Sequence, residues 1–424
     1  MVLILVISII VLLTLLGLPL FLSIGALGTA LWLSVDPNPG VLQIILIEMN
    51  RLATMPILVA LPLFTMTGFV LTASKMPDRM LAFLDAAAGW LPGGSAIAAL
   101  CACAFFTAMT GASGVTIIAM GAVLYPILKN RYDERFSLGL LTTGGSLGLL
   151  FPPSLPIILY GVVAQIDITR IFKATLLPGI LLLAVLCAYA FLHARRLQRK
   201  DLRQHADFSW RAVKAACRAS VWDFLLVLLI LTGVYGGFVT IAEVSAVVLI
   251  YVLAVECFLL REIHWRRQLP GIMVESAILT GAIILILGMA LGFTAYLVDA
   301  RIPDRVIDML TGFTRNKYLF LAGLNLMLIV VGCIMDIFSA IVIVVPIVAP
   351  VALSYGIDPF HLSVVFLVNL EIGYSTPPVG MNLFIASLKF ERPVGVLYRA
   401  SLPYLVLLMA CLIVVTYLPA LALF

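Results

Sequence analysis

AIAALCACAFFTAMTGASGVTIIAMGAVLYPIL, residues Ala96–Leu128, is an apolar stretch of 33 residues whose centre, TGASGVT at Thr110–Thr116, is small and polar. As one α-helix it would be about 50 Å long at 1.5 Å per residue, whereas the hydrocarbon core of a bilayer is about 30 Å thick. Glycine readily adopts conformations that end a helix. We therefore predict that the chain folds back at Gly111–Gly114 into a re-entrant hairpin, residues 96–128. Each limb, of roughly 16 residues or 24 Å, is too short to cross, so the tip stops inside the membrane.

The composition of the chain excludes a water-soluble protein. Of its 424 residues, 63% are hydrophobic and 11% are charged, whereas soluble domains carry about 25% charged residues. The Lys and Arg residues form short clusters between apolar runs, so the net charge of +5 indicates orientation in a lipid bilayer and no nucleic-acid partner. The 7 cysteines include no C-x-x-C pair, and we assign them neither a disulfide nor a metal.

The basic residues also predict the topology. Cytoplasmic loops collect Lys and Arg, and the richest segment is the linker at residues 194–220. We place this linker in the cytoplasm, between a first half at 1–193 and a second half at 221–424. Counting crossings outward from it puts most of the other basic residues inside and both termini outside. The apolar run Val2–Val35 is long enough for two short crossings, with a turn near Gly17 and Pro19.

Two sequence motifs recur in both halves. SKMPDRML, residues 74–81, returns as ARIPDRVI, residues 300–307, and GLLFPPSL, residues 148–155, returns as GYSTPPVG, residues 373–380. Each half holds three crossings, an arm with the PDR motif, a long apolar segment and two more crossings. Because five is odd, the second copy is inverted relative to the first. The predicted fold is an all-α polytopic membrane protein made of two inverted repeats of five crossings.

Each predicted hairpin is followed by a helix that carries a double proline. The second hairpin, 318–353, breaks around Gly332–Ala340, and the proline-containing helices are 136–164 and 362–388. Proline removes a backbone donor and disturbs the preceding turn, so both helices should be broken. Irregular backbone at membrane depth must line a cavity or coordinate an ion.

Carbonyl and hydroxyl oxygens suit alkali cations, and the N-terminal ends of half-helices favour anions. Each hairpin tip and its neighbouring break therefore predict one Na⁺ site. The first comprises Ser113, Gly114, Thr116, Gly145, Ser146 and Gly148, and the second comprises Gly332, Asp336, Ser339, Gly373, Ser375, Thr376 and Gly380. We expect the anionic substrate at Ser113, Pro152, Ser154, Thr376 and Pro377. Small residues also let membrane helices pack closely, but their occurrence in two matched positions favours ion binding. No organic cofactor is expected.

Two acidic residues lie deep in the second half, where ionisable groups are costly and mark functional sites. Asp336 is a candidate to ligate a cation or carry a proton, with capping of the hairpin tip as the alternative. Glu371 precedes the second break, and we expect it to accept hydrogen bonds from amides freed there.

The motifs TGASGVTIIAMG, LGLLFPPSLPIILYG and NLEIGYSTPPVGMNLF resemble signatures of the large membrane subunit of tripartite ATP-independent periplasmic (TRAP) transporters, in the ion-transporter superfamily. The resemblance covers essentially the whole chain. It implies an elevator-type, Na⁺-coupled importer of C4-dicarboxylates, sialic acids or related carboxylates in the bacterial inner membrane. It also implies two partners, a small four-helix membrane subunit, expected here as a separate chain, and a soluble periplasmic substrate-binding protein.

Three other functions are alternatives to this one. A stand-alone Na⁺- or H⁺-coupled dicarboxylate or citrate carrier of the same superfamily would need no binding protein. A channel would transport without an ion gradient. An intramembrane enzyme is the weakest alternative, because the sequence has no H-E-x-x-H, no G-x-S-x-G and no paired catalytic carboxylates.

Overall fold

The computed structural model describes residues 18–198, 209–236, 239–377 and 379–422, together with 6, 8–10 and 12–13. Within this part of the chain the fold is helical and contains no strand, which confirms the predicted all-α class. The predicted first crossing from Val2 and its turn at Gly17 fall largely outside the described residues, as does part of the basic linker.

The first half contains nine α-helices within residues 18–198. They are α1 (Leu20–Val35), α2 (Gln43–Ala53), α3 (Ala60–Ala73), α4 (Met76–Ala88), α5 (Gly94–Thr110), α6 (Ser113–Arg131), α7 (Glu134–Gly144), α8 (Leu155–Ala164) and α9 (Ile168–Gln198). A short 3₁₀ segment, Leu147–Leu150, lies between α7 and α8.

The linker and second half contain ten more helices among the described residues. They are α10 (Trp210–Ala219), α11 (Val221–Gly236), α12 (Ile241–Leu253), α13 (Leu269–Asp299), α14 (Ile302–Phe313), α15 (Lys317–Ile334), α16 (Ile337–Ser354), α17 (Pro359–Gly373), α18 (Met381–Phe390) and α19 (Val394–Tyr417). A π-helical turn, Ala254–Leu259, extends α12.

Seven of the described helices are long and apolar enough to cross a bilayer, or nine crossings if each of two bent pairs is one span. One bent pair is Glu134–Leu150 with Leu155–Ala164, which meet at 46°. The other joins α10 to α11 at 64°. The chain is therefore a multi-pass membrane protein.

Helices α1, α2 and α3 pack against helices of the second half. The 31-residue helix α13 packs against α1, α2 and α3, and α12 also packs against α3. The indole Nε1 of Trp32 donates a hydrogen bond to the carbonyl of Gly292 over 3.1 Å. The ring of Trp32 stands edge-on to Tyr296, with centroids 5.6 Å apart. The two halves thus share one core.

Arg79, in the first PDR motif, attaches α4 to the second half. Its Nε and Nη2 donate to both carboxylate oxygens of Asp223 at 2.9 and 2.8 Å. Nη2 also donates to Glu256 at 2.8 Å, and Nη1 donates to Glu262 at 2.6 Å. Burial opposes the charge, but the hydrogen bonds and negative charges of these carboxylates outweigh it and raise the pKa of Arg79 above its ordinary value. Such forked pairing fixes geometry as well as charge, so the arm is held rigidly. The matching Arg305 of α14 is exposed.

The order of elements after each PDR arm is the same in both halves. Each arm is followed by two helices separated by two residues, then by a broken helix and one long helix. Packing between the halves is reciprocal as well, because α6 packs against α18 while α16 packs against α8. The predicted hairpins and breaks therefore lie where α6 packs on α18 and α16 packs on α8.

Candidate functional site

The first hairpin turns at Gly111 and Ala112. Gly111 has a φ of +66°, and a Cβ there would meet the side chain of Leu155 at 2.5 Å, so only glycine fits this turn. Thr107 and Thr116 are hydrogen-bonded through their hydroxyls at 2.7 Å, although a straight helix would separate them by about 13 Å. At the far ends, Arg131 donates to Ser95. The two limbs therefore run back along each other.

The second hairpin turns at Met335 and Asp336. Phe320 lies near the start of the first limb and Tyr355 follows the end of the second, and their rings stack with centroids 4.5 Å apart. Asp336 is the N-cap of α16, because its Oδ2 accepts from the amide of Ser339 at 3.0 Å and its Oδ1 accepts from the Ser339 hydroxyl. The capping role kept open from the sequence is thus observed, and ion binding by Asp336 stays a prediction.

The limbs of the first hairpin are longer than the 16 residues estimated from the sequence, and those of the second are of similar length. Those of the first have 17 and 19 residues, and those of the second have 18 each. All but α5 qualify as membrane spans on length and composition. Limb length alone therefore does not keep the tips within the bilayer.

The first break is packed tightly against the first hairpin. The hydroxyl of Thr107 donates to the carbonyl of Gly145 at 2.7 Å, and the hydroxyl of Ser146 donates to the carbonyl of Thr143 at 3.1 Å. A Cβ on Gly148 would lie 2.1 Å from the carbonyl oxygen of Ala104. At Gly148 the glycine therefore allows close packing of the break on α5, the alternative to ion binding. Sequence reasoning missed Thr107, which joins Thr116 to Gly145.

The second break rests on the tip of the second hairpin. A Cβ on Gly373 would lie 2.8 Å from backbone atoms of Gly332. The amide of Gly380 donates to the carbonyl of Cys333 at 3.0 Å, and the Cys333 thiol donates to the carbonyl of Thr376 at 3.1 Å. The amide of Ile337 donates to the Tyr374 hydroxyl. Backbone from the hairpin and the break thus forms one hydrogen-bonded unit.

Within the described part of the chain, one side-chain hydrogen bond joins the first hairpin tip to the residues that follow the second break. The Ser113 hydroxyl donates to Oδ1 of Asn382 at 2.7 Å, across 269 residues of sequence. The backbone N–H of Asn382 donates to the carbonyl of Tyr374 at 3.0 Å. Side-chain Nδ2 of Asn382 is buried and has no hydrogen-bond partner among the described residues. Asn382 was not selected from the sequence, although it ends the second double-proline motif, because an isolated Asn after a break has no spacing signal.

The remaining candidates for substrate contact differ in their surroundings. Ser154 and Ser375 are buried, and their hydroxyls have no partner within the described structure. Thr376 is half-buried and donates to the carbonyl of Ile372 at 2.7 Å, while Pro377 is exposed. Gly114 is half-buried at the start of α6.

Pro152 lines a cavity of about 230 Å³ between α5, α9 and α11. The cavity is walled by apolar side chains such as Phe105, Met109, Leu183 and Ile230. Such a lining offers no donor for a carboxylate, and an unpaired charge there would be costly. The hydroxyl and amide groups at Ser113, Ser154 and Asn382 are better suited to an anion.

The prediction for Glu371 is wrong. Its side chain is 0% exposed, and neither carboxyl oxygen has a hydrogen-bond partner among the described residues. The amides after the break are used elsewhere, because those of Tyr374, Ser375 and Thr376 bond to carbonyls of the preceding helical turn.

The chain is similar in sequence to known proteins. The sequence model of the tripartite ATP-independent periplasmic transporter, DctM component, matches residues 6–421. The C4-dicarboxylate TRAP transporter large permease protein DctM of Pseudomonas aeruginosa is 35% identical over 86% of this chain and 85% of its own length. The isethionate TRAP transporter permease protein DctMQ of Oleidesulfovibrio alaskensis is 32% identical over 96% of this chain and 64% of its own length.

A solved structure shares the fold at low sequence identity. The YdaH transporter of Alcanivorax borkumensis aligns with a TM-score of 0.65 over 90% of both chains, at 15% identity. The family match extends over nearly the whole chain, including both hairpins and both breaks. The chain therefore belongs to the DctM component family of tripartite ATP-independent periplasmic transporters, and it is a membrane permease and not an enzyme.

Proposed function

We propose that this permease imports an organic anion, a C4-dicarboxylate, a sialic acid or a related carboxylate, together with Na⁺ ions. The relatives quoted above are named for a C4-dicarboxylate and for isethionate, and both of these substrates are anions. The chain would work as the large membrane subunit in the bacterial inner membrane, with both termini on the periplasmic side.

The observation that carries this proposal is the absence of cationic side chains from the polar segments. The four segments at the hairpin tips and breaks, 110–116, 142–154, 332–340 and 369–382, contain no Lys, Arg or His. A desolvated anion needs compensating positive charge or several donors. Helix N-termini and amides supply only partial charge. Cations that enter with the substrate would provide the rest, which favours coupling to Na⁺.

The oxygen groups in these segments suit such a cation. Na⁺ is a hard cation that prefers carbonyl and hydroxyl oxygens, and these are the groups at Ser113, Thr116, Gly145, Ser339 and Thr376. Asn382 adds a donor for the anion, because its Oδ1 is taken by Ser113 while its Nδ2 is free within the described structure. We infer that Ser113 and Asn382 orient each other beside the substrate.

The family implies the two partners, a small membrane subunit and a periplasmic binding protein that delivers the substrate. We propose that the two halves are inverted repeats and that the hairpins and broken helices move as one body past the remaining helices in an elevator mechanism. Two hydrogen bonds at Cys333 of α15, from the Gly380 amide to its carbonyl and from its thiol to the Thr376 carbonyl, support such a body, because they join hairpin and break.

The test is uptake of radiolabelled succinate, as a C4-dicarboxylate probe, and of isethionate in proteoliposomes with the permease, its small subunit and its binding protein. Ser113→Ala and Thr376→Ala are expected to raise the Na⁺ concentration for half-maximal uptake by about tenfold, since a buried hydrogen-bonding group is worth roughly 1–1.5 kcal/mol. Thr232→Ala is the matched control, because Thr232 is exposed and, among the described residues, its hydroxyl donates only within its own helix, to the carbonyls of Leu228 at 2.7 Å and Leu229 at 3.2 Å.

Two results would contradict parts of the proposal. Uptake driven by a proton gradient and indifferent to Na⁺ would reject the coupling ion. Equal uptake without the binding protein would identify a stand-alone carrier.

A further inference from the structure

Helix α10 lies exposed at the start of α11. None of its 10 residues is buried, although the helix packs against α4. It meets α11 at 64°, so it does not continue that helix in a straight line. Its three cationic side chains would be costly within the hydrocarbon of a bilayer. We therefore place α10 at the surface of the bilayer.

The residues of α10 fall on two sides of the helix, as the spacing of 3.6 residues per turn requires. One side holds three exposed cations, which we call the basic stripe, Arg211, Lys214 and Arg218. The other side holds the half-buried residues Val213, Ala216 and Cys217. Trp210, at the border between the two sides, is 74% exposed. A basic side, an apolar side and an exposed indole are typical of a helix that lies in a membrane interface.

The basic stripe is not compensated by carboxylates. Within the described part of the chain, none of its three cations forms an ion pair, because the neighbouring acidic groups have another partner. Arg79 pairs with three of them, Asp223, Glu256 and Glu262. Asp78 of α4 is exposed and forms no ion pair with the basic stripe among the described residues. The cations of α10 therefore face outward without a counter-charge.

A second set of cations follows the π-helical turn after α12. Residues 261–267, which we call the Trp265 cluster, hold three exposed cations, Arg261, Arg266 and Arg267. Trp265 is 52% exposed, and the guanidinium of Arg266 lies 4.5 Å from the centroid of its ring. The combination of cations with an exposed indole is thus repeated outside α10.

Helix α4 brings the Trp265 cluster and α10 to the same end of the molecule. At the start of this arm, the Lys75 amide donates to the carboxylate of Glu262 at 2.7 Å. One turn later, the Arg79 carbonyl accepts a hydrogen bond of 3.1 Å from the hydroxyl of Ser220, the residue that follows α10. The two basic segments therefore flank one arm.

These two segments fit an anionic partner that also has an apolar boundary. Uncompensated Lys and Arg side chains attract phosphate groups at a membrane surface, and Trp side chains prefer the level of the lipid headgroups. The headgroup of an anionic phospholipid meets both requirements, since its phosphate lies directly beside the hydrocarbon. A soluble acidic partner would satisfy the charge but offers no such boundary to two exposed indoles.

We propose that α10 and the Trp265 cluster together bind the headgroups of anionic phospholipids in the cytoplasmic leaflet. The cations contact the phosphates, and Trp210 and Trp265 lie at the border between headgroups and hydrocarbon. Because both segments are attached to α4, bound lipid holds this arm at the membrane surface. The inference goes beyond the proposed transport function, since it concerns neither the substrate nor the coupling ion.

The first test measures the binding of phosphatidylglycerol and of phosphatidylcholine to the permease with its small subunit, by native mass spectrometry during lipid titration. We expect phosphatidylglycerol to bind more tightly. The variant Arg211→Gln/Lys214→Gln/Arg218→Gln should raise its dissociation constant by at least about tenfold, because each Lys or Arg near an anionic surface strengthens binding by about fivefold. Binding of phosphatidylcholine should not change.

The matched control is Arg305→Gln/Arg315→Gln/Lys317→Gln. It also removes three exposed cations, but these lie beyond the far end of the 31-residue helix α13. Equal weakening in the two variants, or equal affinity of the wild type for the two lipids, would overturn the proposal. Phosphatidylglycerol binding that appears only after removal of the small subunit would also overturn it, because the surface would then be a subunit interface.

The second test does not depend on the folding of a triple variant. The fluorescence of Trp210 is obtained as the difference between the wild type and Trp210→Phe in vesicles of phosphatidylcholine and phosphatidylglycerol. Bromine atoms on the acyl chains of phosphatidylglycerol should quench this fluorescence more strongly than bromine atoms on an equal amount of phosphatidylcholine. Equal quenching would overturn the proposal, because Trp210 would then lie in the interface without a preference for anionic lipid.

Discussion

The contact between Gly332 and Gly373 gives a prediction whose magnitude follows from the structure. In Gly373→Ala, the new Cβ would lie 2.8 Å from the C and Cα atoms of Gly332 and 3.1 Å from the amide nitrogen of Cys333. All three are backbone atoms, so no side-chain rotation relieves the overlap. To restore an ordinary contact of 3.4 Å, the hairpin tip must retreat by about 0.6 Å. Overpacking of this kind costs about 1–3 kcal/mol.

Gly323→Ala is the matched control on the helix that faces Gly373. A Cβ at Gly323 would meet nothing within 4 Å, and Ala is better than Gly in a helix interior by about 0.5–1 kcal/mol. The free energy of unfolding, measured by SDS titration of the purified permease, should fall in Gly373→Ala and stay equal or rise in Gly323→Ala. Equal stability of the two variants would refute the reasoning, because the backbone contact would then not limit the approach of the break to the hairpin.

Two further predictions concern charged residues outside the packed tips. Arg79→Ala should lower the free energy of unfolding by about 3–5 kcal/mol, because it leaves buried carboxylates without their partner. Arg305→Ala, at the exposed matching position, should have little effect in the same SDS titration. Similar losses in the two variants would show that the carboxylates around Arg79 add no specific stability. Asp336→Ala should lower the free energy of unfolding by about 1 kcal/mol through loss of the helix cap, while Asp336→Asn keeps the cap. A changed Na⁺ dependence of uptake in the Asn variant, with unchanged thermal stability, would assign Asp336 to ion binding. An unchanged Na⁺ dependence would assign it to capping alone.

The helical class and the position of the breaks were accessible from the sequence because they depend on local chemistry. An apolar segment too long for the bilayer with Gly111 at its centre predicts a reversal, and the structure turns at Gly111 and Ala112. Pro152, Pro153 and Pro377 likewise lie in the irregular segments after α7 and α17. The recurrence of two motifs at similar offsets predicted a duplicated order of elements, and the inverted orientation stays a prediction.

Pairing between distant segments was not accessible. Thr107 and Asn382 are ordinary polar residues in sequence, and only the packing of α5 on the first break and of α6 on α18 gives them partners. Glu371 was misjudged for the opposite reason. The sequence suggested free amides beside it, but the amides of Tyr374, Ser375 and Thr376 donate to carbonyls in the last turn of α17. A local pattern reports which groups a segment contains, and the tertiary contacts determine which of them remain without a partner.

The bond from Ser113 to Asn382 has a consequence for biosynthesis. The donor emerges from the ribosome in the first third of translation, and its acceptor is made 269 residues later. Once the first hairpin has been made, its tip therefore lacks the Asn382 side chain until the second half is synthesised. If the chain is divided within the basic linker, the two fragments should have to be produced in the same membrane before the bond from Ser113 to Asn382 can form.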